Sequence, residues 1–412
     1  MLIETNVEVN FRSIEEFTRV MASELLEDKI NFEILKEDNF IKIKVKSEKL
    51  NQSTEFSYVD LGNKIEDQVL TMCKISLLEL LDKKYDWGSL MGVRPTKVLR
   101  RLLINGCDYK EARKILKDFY LVTDEKINLM ETVVKKELEL LDKEHINLYI
   151  GIPFCPTKCK YCSFASYEIN GGVGRFYNDF VEALLKEIQI VGDFLKTYSK
   201  KVSSIYFGGG TPSTLTEEDL ERVLKKLLEN IDMADVKEFT FEAGREDSLN
   251  IKKLEIMKKY SVDRISLNPQ SFNLETLRRV NRRFNRENFD LIFKEAKKLE
   301  FIINMDLIIG LPEETTEEIL NTLSQLKDYD IDNLTIHCLA FKRASKLFKE
   351  SQERNIIDRA LIEKYIQKIV EEKTMKPYYM YRQKNIIEWG ENIGYSKEGK
   401  ESIFNIEMIE EN

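Results

Sequence analysis

From Ile146 onward the hydrophobic pattern is regular. Apolar runs at Ile146–Phe154, Val202–Phe207, Val236–Ala243, Val262–Leu267, Phe301–Ile309 and Asn333–Ala340 alternate with stretches of helical periodicity at Arg175–Leu195, Glu217–Ile231, Ser248–Tyr260, Arg286–Leu299 and Thr316–Leu326. Alternation of this kind predicts parallel strands joined by right-handed helical crossovers. Six such units are fewer than the eight of a closed barrel. The expected fold is therefore α/β, a partial (β/α)6 barrel open on one side. In such sheets the chemistry sits at the carboxyl ends of the strands.

The residues before this region read differently. Strand-like runs at Val7–Phe11 and Phe40–Ser47 flank helical periodicity at Ile14–Asp28, and Lys64–Lys83 reads as a further amphipathic helix. A turn-rich, locally basic stretch, Trp87–Lys97, leads into helical segments at Lys97–Leu103 and Tyr109–Phe119. Asp124–Asp142, dense in Glu and Lys, predicts a solvated helix bridging into the next domain. The expected domains are a small N-terminal α/β domain with its helical linker (1–140), the partial barrel (141–345) and a C-terminal extension (346–412).

Composition narrows the function classes. Lys and Arg number 64 against 72 Asp and Glu, a net charge of −8, so no broad basic surface for nucleic acid or an anionic membrane is expected. Any anionic ligand must meet a local basic pocket. No apolar run reaches the length of a membrane span, and the first residues lack a basic region followed by an apolar one, so a cytoplasmic location is expected. Cys73, Cys107 and Cys338 stand singly on apolar-rich segments and are expected to be small buried residues.

The other three cysteines follow the first barrel strand directly. Cys155, Cys159 and Cys162 have the spacing C-x3-C-x2-C, which brings three thiolates together on a short loop. Closed zinc and iron–sulfur sites take four protein ligands. The loop offers no fourth, and His145 precedes the strand, at its far end. Three thiolates on a four-iron cluster leave one iron free to bind a substrate or cosubstrate. The remaining motifs fall on the same rim. Gly208-Gly209-Gly210-Thr211-Pro212-Ser213 follows the second strand and allows close backbone approach. Glu242 closes the third strand, and Asn268–Asn273 follows the fourth, with Asn281-Arg282 beyond. Asp306 lies inside the apolar fifth strand, either as a structural ion-pair partner or as a ligand to a cosubstrate.

The cysteine loop resembles that of the radical S-adenosylmethionine superfamily. With Tyr149–Phe164, Gly208–Ser213, Gln270–Asn273, Asn281-Arg282 and Asp306–Pro312 in this order, the chain resembles the oxygen-independent coproporphyrinogen III oxidases, also called coproporphyrinogen dehydrogenases. Val93–Lys97, Lys342–Ser345 and Pro377–Asn385 are similar to a subgroup carrying an extra N-terminal domain. The resemblance implies that Cys155, Cys159 and Cys162 hold a [4Fe–4S] cluster and that Tyr149 contacts S-adenosylmethionine beside it. It further implies that the backbone of Gly209, Gly210 and Thr211 holds the methionine end of that cosubstrate and Arg282 its carboxylate, with Glu242, Gln270 and Asp306 on its ammonium or ribose groups.

The activity implied is decarboxylation of two propionates of coproporphyrinogen III to give protoporphyrinogen IX, through a 5′-deoxyadenosyl radical. The implied partners are a tetrapyrrole and a reduced flavodoxin- or ferredoxin-like electron donor. Arg382 with Tyr378, Tyr379 and Tyr381, joined by Lys342 and Arg343, is the expected tetrapyrrole contact; the other reading of these tyrosines is a packing seam. Two other functions share the cluster and barrel: a haem-binding chaperone, and a radical methyltransferase or ring-opening enzyme acting on haem. Two departures from the family pattern stand out. Ser163-Phe164 follow Cys162 where well-studied oxidases carry a fourth cysteine, and the C-terminal extension is expected to be shorter than in the family.

Replacing Cys159 with Ala is expected to abolish the cluster and the cleavage of S-adenosylmethionine, read as iron content and 5′-deoxyadenosine formation under anaerobic conditions.

Overall fold

The structure is a computed structural model that describes residues 2–5, 11–21, 25, 29–37, 40–47, 51–57, 65–90, 94–142, 144–350, 356–383 and 390–410. The chain divides into two compact units, Met1–Lys135 and Lys136–Asn412. In the first, strand β1 (Leu2–Thr5) pairs in parallel with β2 (Lys29–Glu37), which continues antiparallel through β3 (Phe40–Lys46) to β4 (Asn51–Ser57). Ile30, Phe32 and Ile34 of β2 and Ile41, Ile43 and Val45 of β3 are buried, while Lys29, Glu33 and Lys42 between them are exposed. That period of two makes a sheet with one covered face.

Expectation and structure differ at several points in this unit. Residues 7–10 of the strand expected at Val7–Phe11 lie outside the described residues. Phe11 instead opens a helix that runs to Met21. Helix Ile65–Leu80 ends three residues before the expected Lys83, and Lys64 lies outside the described residues. Helix Asp124–Leu140 is not solvated all round: Ile127, Met130, Val133 and Val134 are fully buried. Their spacing of three and four residues makes an apolar stripe that the many Glu and Lys of the other face conceal.

The second unit holds the partial barrel. Strands β5 (Ile146–Ile152), β8 (Val202–Gly209), β9 (Glu238–Gly244), β10 (Arg264–Leu267), β11 (Ile302–Ile309) and β12 (Asn333–Cys338) pair in parallel in that order. The short strands β6 (Phe154–Cys155) and β7 (Tyr167–Glu168) pair with each other beside the cysteine loop. The sheet continues past β12 through an antiparallel pair, β13 (Lys376–Tyr381) and β14 (Asn392–Ser396), giving the order β13-β14-β12-β11-β10-β9-β8-β5. Helices Tyr177–Thr197, Glu217–Asn230, Ile251–Lys259, Arg286–Lys298 and Thr316–Gln325 make the crossovers. They cover the outer face, where Ile205, Phe207, Phe239, Phe241, Ile265, Ile303, Met305 and Leu307 are buried.

Residues Lys400–Glu410 lie across the amino-terminal end of these strands. Arg264, first residue of β10, donates from Nη2 to the carbonyls of Lys400 and Glu401, each at 2.9 Å. Glu238, first residue of β9, accepts from Ser402 Oγ at 2.8 Å and Ile403 N at 2.5 Å. Helix Ile403–Glu410 then sends Phe404 against Tyr206, with ring centroids 4.5 Å apart.

The pairing of β13 with β14 depends on a close approach. A Cβ added to Gly394 would come within 1.8 Å of the Tyr379 ring. Gly394→Ala is therefore expected to lower stability by about 1–3 kcal/mol, as read from chemical denaturation followed by tyrosine fluorescence.

Candidate active site

Along β5 and β8–β12 every second side chain turns away from the helices, and these inward positions are mostly polar. They line a cavity of about 450 Å³ that includes Tyr149, Tyr206, Glu242, Gln270, Asp306 and His337. The cavity reaches Tyr161, Cys162 and Ser163 at the carboxyl ends of the strands and Phe404 toward the amino ends. Tyr149, Tyr206 and Phe404 stack nearly parallel, with interplanar angles of 12° to 20°, and give it one flat aromatic wall.

The cysteine loop is held from three sides. Lys160 N donates to Val280 O, Asn281 Nδ2 to Lys158 O, and Leu347 N to Lys160 O, at 2.9–3.0 Å. Arg245 Nη1 donates to both the carbonyl and the hydroxyl of Thr157, at 3.1 and 3.0 Å. Cys155 and Cys159 are buried, and Cys162 faces the cavity. Thr211 Oγ1 lies 3.4 Å from Cys155 Sγ. His145 pairs with Asp142 at 2.9 Å ahead of β5, at the end of the strand remote from the cysteines. Among the described residues no three Cys, His, Asp or Glu side chains gather as a single metal ion requires. A [4Fe–4S] cluster asks for something different, since each thiolate binds its own iron. Of the isolated cysteines, Cys73 is buried as expected, whereas Cys107 and Cys338 are half-buried.

The residues expected around the cosubstrate come together at the same rim. Glu242, Gln270, Asp306, Tyr149 and Gly209 all line the cavity. The N–H groups of Gly210 and Thr211 are already committed, at 2.7 Å, to the carbonyls of Ile152 and Phe154. That turn therefore offers a ligand carbonyl acceptors rather than those two donors. A Cβ at Gly210 would stand 2.6 Å from Phe154 O, so no other residue fits there. Gln270 has a φ of +68°, a conformation that costs a non-glycine residue energy. Its backbone bonds on both sides to β11, to Asp306 O and from Ile308 N, and this holds it there. Its Oε1 is buried without a hydrogen-bond partner, as is Arg282 Nε. Arg282 spends Nη2 on the carbonyls of Gly244 and Asn268 and brings Nη1 within 3.9 Å of Cys159 Sγ.

Asp306 has no Lys or Arg partner among the described residues. Asn304 Nδ2 donates to it at 2.8 Å, and His337 Nε2 lies 3.8 Å away. Burial, then the neighbouring charge of Asp306, pushes the Glu242 carboxyl up to about 8, and burial with Glu242 pushes the Tyr149 hydroxyl up to about 12. Two carboxyl groups facing one cavity, an unpartnered amide oxygen and a buried guanidinium nitrogen form a set that fits a ligand bearing a sulfonium, an ammonium and a carboxylate.

The expected substrate residues are split. Tyr378 and Tyr379 line the cavity but are almost wholly buried, forming an edge-to-face pair 4.8 Å apart that makes them a packing seam as well. Tyr381 reaches the cavity, its hydroxyl 3.2 Å from His337 Nδ1. Arg382 does not line the cavity. Residues adjacent on an extended chain face opposite ways, so it turns from Tyr381 into a buried region beside Arg359 and Glu391. Burial lowers its pKa to about 10. Lys342 lines the cavity mouth, 6.0 Å over the Phe164 ring. Sequence reasoning missed Tyr206, His337, Phe404 and the role of Arg245. The signal for the first two was present as polar and aromatic residues at every second position, as in Asn333-Leu334-Thr335-Ile336-His337.

Because folded protein holds the Glu242 proton more tightly than the unfolded chain does, that contribution to stability is complete below about pH 4.5 and is lost as pH rises to about 8. Without cosubstrate, Glu242→Gln is expected to gain on the parent across this window, by at most about 1.4 kcal/mol per pH unit. Urea midpoints at pH 5.5 and 8 measure it; an identical difference at both refutes the assignment.

The sequence profile of the radical SAM superfamily matches residues 149–326. The oxygen-independent coproporphyrinogen-III oxidase-like protein HemZ of Bacillus subtilis is 41% identical over 335 residues, 79% of this chain and 67% of that protein. The heme chaperone HemW of Bacillus subtilis is 31% identical over 46% of this chain and 49% of its own length. Anaerobilin synthase of Escherichia coli O157:H7 is 29% identical over 50% and 48%. The chain thus spans about half the length of these two relatives. The solved structure of HemN, coproporphyrinogen III oxidase of Escherichia coli, shares the fold, with a TM-score of 0.52, 22% identity and coverage of 65% of this chain and 59% of that one. The chain belongs to the radical SAM superfamily, in its HemN/HemZ-like family, and its cofactors are a [4Fe–4S] cluster and S-adenosylmethionine.

Proposed function

We propose that the protein carries out the oxygen-independent oxidative decarboxylation of coproporphyrinogen III to protoporphyrinogen IX in porphyrin biosynthesis. The observation that carries this reading is the 41% identity to the oxidase-like HemZ protein over 335 residues, an alignment much longer than the superfamily match. The cavity supports it, because the aromatic wall of Tyr149, Tyr206 and Phe404 offers a macrocycle a flat apolar surface.

When bound, the cluster and S-adenosylmethionine supply one-electron reductive cleavage and a 5′-deoxyadenosyl radical, the electron coming from a flavodoxin- or ferredoxin-like donor. The protein's own residues position and shield. Cys155, Cys159 and Cys162 hold the cluster, and the Gly209–Thr211 turn, Glu242, Gln270, Arg282 and Asp306 hold the cosubstrate, with Tyr149 beside it. Lys342 is the cavity cation placed to meet a substrate carboxylate, and the His337 imidazole offers a further polar contact, since the Arg264 guanidinium is engaged by Asn333, Lys400 and Glu401. The Tyr381 hydroxyl, 3.2 Å from His337 Nδ1, fixes the His337 imidazole, and the helix carrying Phe404 excludes water from the far end.

The HemW and anaerobilin synthase relatives favour a second reading, a haem-binding chaperone or a haem-modifying enzyme. Anaerobically reconstituted protein, given coproporphyrinogen III, S-adenosylmethionine and a low-potential reductant, is expected to release carbon dioxide and form vinyl products. Haem binding with no turnover points to the chaperone, and a methylated or opened tetrapyrrole to the haem-modifying enzyme; either result overturns the proposal.

A further inference from the structure

We propose that Arg245 sets the reduction potential of the cluster by placing a buried cation and an N–H donor against one of its three sulfurs. The three cysteines are not equivalent in this fold. Cys155 Sγ meets the hydroxyl of Thr211, and Cys162 opens onto the cavity. Cys159 Sγ has two guanidinium groups against it, Arg245 Nη1 and Arg282 Nη1, each at 3.9 Å.

Arg282 and Arg245 approach this sulfur from different surroundings. Arg282 keeps an unpartnered Nε and belongs with the cosubstrate residues. Arg245 does not line the cavity, and its side chain is 4% exposed. Its Nη1 serves Thr157 and Cys159, while Nε and Nη2 grip Asp247 at 2.9 and 2.6 Å. The Arg245–Asp247 pair is therefore a dipole with its positive end toward Cys159 and its negative end toward solvent, where the Asp247 side chain is 22% exposed.

One-electron reduction adds a negative charge to the cluster. A cation and N–H donors at a ligand sulfur withdraw electron density from its iron and favour the reduced form, and burial keeps water from screening the effect. Arg245 thus makes the cluster easier for an external low-potential protein donor to reduce. It acts through Cys159 and touches neither cosubstrate nor substrate, so it is a positioning residue. The inference rests on the three cysteines as cluster ligands and not on the identity of the substrate.

The test is an EPR-monitored redox titration of the reconstituted full-length protein, with iron and sulfide content measured alongside. Arg245→Met is expected to lower the midpoint potential, with the reduction equilibrium about tenfold less favourable, or about 59 mV for a one-electron couple. Arg245→Lys, which keeps the charge, is expected to restore part of the shift. Asp247→Asn removes the compensating charge and is expected to raise the potential. An unchanged midpoint in cluster-loaded Arg245→Met would reduce Arg245 to a staple for the loop and overturn the proposal. If Arg245→Met loads no cluster, Asp247→Asn decides by itself: a raised potential supports the proposal, and an unchanged or lowered one overturns it.

Discussion

A strand has two faces, and in this sheet only one is given to helices. The outer face takes Ile205, Phe207, Phe241, Ile303, Met305 and Leu307 into the core, which leaves the alternate positions pointing into the partial barrel. Those positions carry Tyr206, Thr240, Glu242, Arg264, Ser266, Asn304, Asp306, Asn333, Thr335 and His337. Buried polar groups must be bonded to one another or to a ligand. Asn304 bonds Asp306 and reaches Ser266, and Thr335 bonds Tyr379, so much of the interior is self-satisfied. What is left over marks where a ligand belongs. Gln270 Oε1 and Arg282 Nε stand unpartnered, and burial, then the charge of Asp306, raises the Glu242 carboxyl well above the usual range.

The same constraint gives the C-terminal residues their place. A parallel sheet that curls around a polar interior exposes strand ends as well as strand faces. Glu238 and Arg264, 3.7 Å apart and both 4% exposed, begin neighbouring strands and would be a poorly compensated buried pair alone. Beyond Asn333 and Thr240, their bonds go to the backbone of 400–403 and the Ser402 hydroxyl, so the ion pair and the segment that covers it depend on each other. Phe404 extends that anchor into the aromatic stack of Tyr206 and Tyr149. The wall of the cavity is thus built by residues about 250 positions apart in sequence.

The cysteine loop is short, yet its geometry is supplied largely from outside it. Val280 and Asn281 hold it from one side, Leu347 from another, and Arg245 through Thr157 from a third. These contacts convert a flexible C-x3-C-x2-C segment into a fixed arrangement, and they also make its three sulfurs unequal. Cofactor binding and cofactor tuning therefore come from the same set of bonds.

The sequence by itself determined the order of strands and helices in the barrel, the rim on which the chemistry lies, and the cysteine motif. Periodicity and ligand spacing are local properties, and every barrel strand from Ile146 to Cys338 lies within a few residues of its apolar run. Gly209, Glu242, Gln270 and Asp306 were legible for the same reason, since each sits at or near a strand's carboxyl end. Only the tertiary structure decided the rest. Tyr378, Tyr381 and Arg382 look like one substrate cluster in sequence, but the chain turns Arg382 into a buried region beside Arg359 and Glu391, away from the cavity that the tyrosines line. The alternation of β2 was legible in sequence, whereas β1, β4, β13 and β14 are short or mixed in pattern, and edge or antiparallel strands are stabilised by neighbours that no local window contains. Phe404 acquires its role from partners about 200 and 250 residues before it, His337 from Tyr381 44 residues after it and Arg245 from a cysteine 86 residues before it. Long-range contact is what a one-dimensional pattern cannot carry, and it is what turns a recognisable motif into a site of definite charge and shape.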